Sequence, residues 1–136
     1  MAATLPADAA AWLEQLRRHR YVVLETYRAD GTPVRTPMWF VVHNGQVYMR
    51  TLATAGKLKR IARNPAARLA PCDLHGRPRG PWSPARARIV TGEEALLATR
   101  MLRRRYSWRW VVLDTLSRLR RRGHTVLALE LTDQVR

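Results

Sequence analysis

Two tight-turn signals, Ala29-Asp30-Gly31-Thr32-Pro33 and His43-Asn44-Gly45-Gln46, constrain this chain more than anything else in it. Asn-Gly supplies the two positive-φ positions of a two-residue hairpin, and Asp-Gly before Pro is turn chemistry of the same kind. β-Branched and aromatic residues flank both turns, over 21–27, 34–42 and 46–51. Strands joined so closely must run antiparallel, because a parallel pair needs a crossover of a dozen residues or more. The three are expected to form a meander.

The remaining elements surround that meander. Residues 7–18 read as a helix, with Ala10, Leu13 and Leu16 at a spacing of three and Trp12 beside them, and are expected to serve as a lid or dimer element. A short helix over 55–63 places Leu58, Ile61 and Ala62 toward a core and Lys57, Arg60 and Asn64 elsewhere, and Pro65 ends it. Strands follow over 67–73 and 85–91, separated by a Gly- and Pro-rich loop that carries Trp82 as a candidate binding wall. Helices over 93–105 and 111–122 come next, the second striped by Val111, Val112, Thr115, Leu116 and Leu119 and stopped by Gly123. A strand over 125–132 closes the order. Hairpins outnumber crossover helices, so a mainly β antiparallel barrel with peripheral helices is expected rather than a doubly wound sheet. At 136 residues the whole chain, 1–136, is expected to be one domain.

The handover from Val47-Tyr48-Met49-Arg50-Thr51 to Thr54-Ala55-Gly56-Lys57 breaks local rules in one direction. Thr54 is a good N-cap, yet the position three residues later holds Lys57 where Glu or Gln would complement the helix dipole. A cation there is unfavourable by roughly 0.3 to 1 kcal/mol unless an anion sits between it and the free amides. Gly56 lets a ligand approach the backbone closely. The segment reads as an anion cradle. Pro37 breaks a second rule: in mid-strand it cannot donate to a ladder, so its strand must be open or bulged there. Trp39 shares a face with Pro37 and Val41, Met38 and Phe40 share the other, and one of the two is core.

Charge and composition exclude several classes. The net charge is +15 and 23 of the 25 basic residues are Arg, spread through every segment. An anionic partner fits this balance, but no nucleic-acid reading motif is present and dispersed charge argues against nucleic acid as that partner. The Arg17–Arg20, 103–105 and 120–122 clusters fall near helix C-termini, where a solvated face is their ordinary role. No apolar run approaches a membrane span, no signal peptide opens the chain, and Cys72 is alone, so a cytoplasmic location is expected. Cys72, Asp73 and His75 lack the second ligand pair of a zinc site, so no metal is expected. No nucleophile motif involves Ser83, His43, His124 or Asp114, and hydrolysis is not expected. Tyr106, Trp108 and Trp110 beside Arg105 and Arg109 fit a packed interface better than a base-stacking platform.

The element order resembles the pyridoxamine 5′-phosphate oxidase superfamily. Three segments carry the likeness: Arg35-Thr36-Pro37-Met38-Trp39-Phe40, Tyr48-Met49-Arg50-Thr51, and 54–65 from Thr54 to Pro65. More narrowly the chain is similar to the flavin and deazaflavin oxidoreductase branch, often F420-dependent. The resemblance implies a split β-barrel homodimer with two cofactor sites between subunits. It maps the ring system of the cofactor to Arg35, Thr36, Pro37, Met38 and Trp39, and its phosphate to Arg50, Thr51, Thr54, Ala55, Gly56 and Lys57. Lys59 and Arg60 fit a solvent-facing position equally well. F420 is preferred over FMN because its tail adds carboxylates that a cationic surface can accept. The implied activity is hydride transfer from reduced F420 to a small conjugated or quinone-like acceptor, with no catalytic acid or base on the protein.

Overall fold

The computed structural model describes residues 7–53, 55–119 and 123–132, without the side chains of Ala7 and 108–119. Thr54 and the 120–122 arginines lie outside the described residues. Ten elements follow in order: α1 (Ala7–Leu16), β1 (Tyr21–Tyr27), β2 (Pro33–Met38), β3 (Val41–His43), β4 (Gln46–Leu52), α2 (Gly56–Arg63), β5 (Ala66–Cys72), β6 (Ser83–Val90), α3 (Gly92–Leu119) and β7 (His124–Leu131). Both hairpin turns form as expected. Asn44 and Gly45 take φ of 50° and 76°, and Gly31 takes 89° while Asp30 Oδ1 accepts the Thr32 N–H at 2.9 Å.

The strands form one seven-stranded antiparallel sheet in the order β2-β1-β5-β6-β7-β4-β3. The expected single strand over 34–42 is two strands, separated at Trp39 and Phe40, and the expected meander is therefore divided. β2 pairs with β1 and β3 with β4, which puts two chain-adjacent strands on opposite edges of the sheet. The sheet has to curl until its edges meet, with only Trp39 and Phe40 spanning them. This is a mainly β split barrel whose sheet stays unclosed at that seam. Phe40 is fully buried, and the hydroxyl of Tyr106 accepts its N–H at 3.0 Å, so the seam's backbone donor is satisfied from α3.

The barrel interior is filled by one apolar cluster that includes Leu24, Phe40, Met49, Leu69 and Leu127. α1 contributes Trp12, Leu13 and Leu16 to the same cluster, and Trp12 Nε1 donates to Pro81 O at 2.8 Å. Three buried apolar side chains and this bond fasten α1 to its own barrel. Ile61 and Leu58 of α2 reach the core as expected, but Ala62 is exposed, because eight residues of helix give room for only a narrow apolar stripe.

The outer faces are covered differently. Ala98 of α3 packs on Tyr48, Val90, Val126 and Ala128, and Leu102 and Tyr106 meet Trp39 and Val41. α3 is two helical segments across a kink at Ser107, in agreement with the two helices expected from the sequence. Val23, Ala70 and Cys72 are covered by Tyr21 and Trp82, the latter from the β5–β6 connection. Asp73 holds that connection, its Oδ1 accepting the N–H groups of His75 and Arg77, both at 2.9 Å. Among the described residues no helix is long and apolar enough to cross a membrane.

Candidate cofactor site

α2 starts without the help a helix start normally receives. Its N-cap is Ala55, not Thr54 as the sequence suggested, with no side-chain capping bond, and no acidic residue stands in the first turn. The positive end of the helix dipole is therefore met by cations alone. Lys57 is half-buried, and its Nζ donates to Thr51 Oγ1 at 3.2 Å. Arg60, one turn on, donates from Nε to Thr26 Oγ1 at 2.8 Å. Among the described residues neither cation takes part in an ion pair. Burial, and then the neighbouring Arg60 charge, push the Lys57 ammonium below its usual range. Burial, Arg28 and Arg63 likewise lower Arg60.

Gly56 explains how Arg60 reaches this position. A Cβ on Gly56 would stand 3.0 Å from Arg60 Nη1, so the absent side chain lets the guanidinium lie back across the first turn. α2 thereby bridges β4, through Thr51, and β1, through Thr26, two strands that are not ladder neighbours. The result is a pair of cations on hydroxyl partners at one mouth of the barrel. Of the residues expected to hold a phosphate, Thr51, Ala55, Gly56 and Lys57 gather here. Arg50 is half-buried in β4 opposite Val126, one position before Thr51.

The ring-lining set on β2 is separated by the strand's pleat. Val34, Thr36 and Met38 pair with Thr26, Leu24 and Val22 and share their barrel-facing side, whereas Arg35 and Pro37 face outward. Met38 is buried in the core, as is Phe40, which settles that face as the interior one. Pro37 lies on the open edge strand beside Gly76, whose ideal Cβ would be 3.5 Å from Pro37 Cδ. Trp39 stacks on Tyr106, ring centroids 4.5 Å apart and 6° from parallel. Because Thr26 is both the acceptor of Arg60 and the partner of Val34, the mouth at α2 adjoins the start of β2, and β2 runs away from it toward Trp39.

Arg35 has a different commitment. Its Nε lies 3.3 Å from Glu25 Oε1, while Arg68 engages both carboxylate oxygens, Nε at 2.5 Å and Nη2 at 3.2 Å. Tyr27 donates to Glu25 Oε2 at 3.2 Å, and both guanidiniums lie over the Trp82 ring, at 4.9 Å for Arg35 and 4.6 Å for Arg68. Burial acts to raise the Glu25 carboxyl, but the bonds and charges of Arg68 and Arg35 outweigh it and hold the group below its usual range. Trp82, expected as a ligand wall, is a platform for these two arginines. Sequence reasoning missed Glu25 and Thr26 and left Arg60 undecided. Arg60 had a usable signal in its spacing of four from Gly56, which puts both on one helix face. Glu25 and Thr26 had none, since their partners come from distant strands.

Residues 9–133 match the family profile described as pyridoxamine 5′-phosphate oxidase. The chain belongs to that family. Solved structures agree in fold with this member at low identity. HutZ, the heme storage protein from Vibrio cholerae, is 17% identical with a TM-score of 0.69, covering 90% of this chain and 89% of its own. A protein related to general stress protein 26 from Clostridium acetobutylicum is 16% identical with a TM-score of 0.64, covering 90% and 82%. A structure named as an F420 reductase is 20% identical with a TM-score of 0.58, covering 88% and 93%. No curated protein matches the chain.

Proposed function

We propose that this family member is an F420-dependent oxidoreductase that reduces a small conjugated or quinone-like acceptor, with FMN as the alternative cofactor. The observation that carries the reading is the pair Lys57 and Arg60, half-buried at an acid-free helix start and bonded, among the described residues, to threonine hydroxyls alone. Two desolvated cations with neutral partners fit a phosphate group, whose negative charge would restore what burial costs them. F420 is favoured over FMN by the net charge of +15, which suits a tail of carboxylates. The F420 reductase among the similar folds is consistent with that choice.

In this reading Lys57, Arg60 and Thr51 anchor the phosphate, while Arg50, one residue before Thr51, points to the other face of β4, the one that carries Tyr48. The backbone of the open edge of β2 around Thr36 and Pro37 orients the ring, and the Trp39–Tyr106 stack excludes water at the far end. When bound, reduced F420 supplies the hydride. The protein's own part is to fix the acceptor at near-attack distance, and no side chain need move a proton. A cytoplasmic homodimer with a site in each intersubunit groove completes the proposal.

Titration of the purified protein with F420 and with FMN tests it. One of the two is expected to bind saturably, and Lys57→Ala to weaken that binding about tenfold, the worth of one charge-assisted contact. Equal affinity of parent and variant for both cofactors would remove the α2 mouth from the site. Binding without turnover of any quinone-like acceptor would favour a non-catalytic cofactor carrier.

A further inference from the structure

Positive charge also gathers at the opposite end of the barrel. Arg17, Arg18, His19 and Arg20, which lead from α1 into β1, line a cavity of about 340 Å³ whose other wall is Arg105, Tyr106 and Ser107 of α3. Arg20 precedes β1 and Thr26 lies near its far end, so the cavity and the α2 mouth are about 20 Å apart along that strand. The cavity and the α2 mouth share no residue, and Tyr106, which lines the cavity, meets the proposed ring groove only through its stack on Trp39.

The helix dipole of α1 does not account for these arginines. Its last carbonyls already have backbone partners, Leu13 O with Arg17 N at 3.0 Å, Gln15 O with Arg18 N at 3.2 Å and Leu16 O with His19 N at 2.9 Å. The one carboxylate paired with any of the four guanidiniums among the described residues is Glu14, 3.5 Å from Arg17 and largely exposed. Like charges crowded around one concavity repel unless something neutralises them.

The inner wall is held in place. Arg105 donates from Nη2 to His19 O at 2.5 Å and from Nε to the Tyr106 hydroxyl at 3.1 Å, and it lies 4.7 Å above the Phe40 ring. The Tyr106 hydroxyl lies 2.9 Å from both Arg20 O and Phe40 O, tying α3 to the start of β1. On the rim, Ser107 is held at φ 50° and ψ −120°, a conformation that costs energy and that its surroundings must impose.

We propose that this cavity is a second anion site, built for the phosphate or diphosphate group of a small molecule and independent of the α2 mouth. Its size is at the lower end of ligand pockets, enough for a compact group rather than a polymer. Guanidinium forks from the α1–β1 segment match a tetrahedral oxyanion with several acceptor oxygens, and Arg105, its Nε and Nη2 already engaged, adds positive charge from α3.

Calorimetric titration with inorganic pyrophosphate at fixed ionic strength tests the site, carried out in the Lys57→Ala protein so that the α2 mouth does not contribute. One saturable site per chain is expected to remain. Adding Arg18→Ala and Arg20→Ala, both at exposed positions, is expected to weaken it at least tenfold with the melting temperature unchanged. Should that double change lower the melting temperature, Arg18→Gln and Arg20→Gln singly are expected to give a loss of about fivefold each. Three results overturn the proposal: binding lost with Lys57→Ala alone, binding unchanged by the arginine replacements, or displacement of pyrophosphate by a single-stranded oligonucleotide that binds far more tightly. The Lys57→Ala background keeps its failure separate from that of the cofactor assignment.

Discussion

Glu25 and Thr26 are neighbours on β1 that point to opposite faces of the sheet, and each receives arginine. On the outer face, Arg35 and Arg68 converge on a buried carboxylate and stack on Trp82. On the inner face, the partner of Arg60 among the described residues is a hydroxyl, and burial, then the Arg60 charge, depresses the Lys57 ammonium. The residue type is the same and the consequence is opposite. Where a buried acid closes the charge balance, arginine ties three strands together; where none does, the cations remain available to an anionic ligand. In a chain this rich in arginine, the partner list distinguishes structure from function, and residue counts do not.

The strongest way to break that contrast is Glu25→Gln. It leaves two guanidiniums without their acid and is expected to cost about 2 kcal/mol, below the full value for a buried pair because both arginines are half-exposed. The carboxyl is held below its ordinary 4.5, so its stabilisation is complete above that pH and is lost as pH falls through the lower folded value. Chemical denaturation from pH 7 to 3 is expected to show an acid limb in the parent that is shallower in the variant.

Next in size is Lys57→Met, which removes a cation whose folded ammonium lies below the usual 10.5. The charged form opposes folding here, so the parent gains stability as pH rises through the folded value toward 10.5, and the variant lacks that gain. At neutral pH the variant is expected to be as stable as the parent or up to about 1 kcal/mol more so, while cofactor affinity falls about tenfold. A variant that is both less stable and unaffected in binding would reverse the assignment of the two faces.

Trp82→Leu is expected to cost about 1 kcal/mol, the sum of two partly solvated cation–π contacts, with no change in cofactor affinity. A loss of affinity would instead make Trp82 the ligand wall first expected. Smallest in stability is Gly56→Ala, where gained helix propensity and a displaced Arg60 offset each other to within about 0.5 kcal/mol. Its effect is expected in binding, as a several-fold rise in Kd, because the Cβ pushes the guanidinium off the first turn.

Much of this was legible along the chain. The hairpins at Asp30-Gly31 and Asn44-Gly45, the break between the two helical parts of α3, and the Gly56-Lys57 helix start all follow from local backbone preferences, which act over a few residues. The division at Trp39 and Phe40 was not legible. A continuous apolar run from Pro37 to Val42 passes through it, Pro37 signalling an opening but not two separate strands, and only the curl of the sheet, with Tyr106 arriving from 66 residues away, parts β2 from β3. The capping expectation at Thr54 shows the same limit at smaller scale: residue preference identified the helix start, while the backbone placed the cap on Ala55.

The amino-acid order by itself determined that strands pair antiparallel, that a cationic helix follows the strand over 46–51, and that the family is the one whose profile spans residues 9–133. Only the tertiary structure decided which cations are neutralised. Ladder register sets Arg35 and Arg68 against Glu25 and leaves Arg60 to Thr26, and register is a long-range choice made by burying one whole face of each strand. Electrostatic partnership depends on distances across that register, which no local pattern encodes.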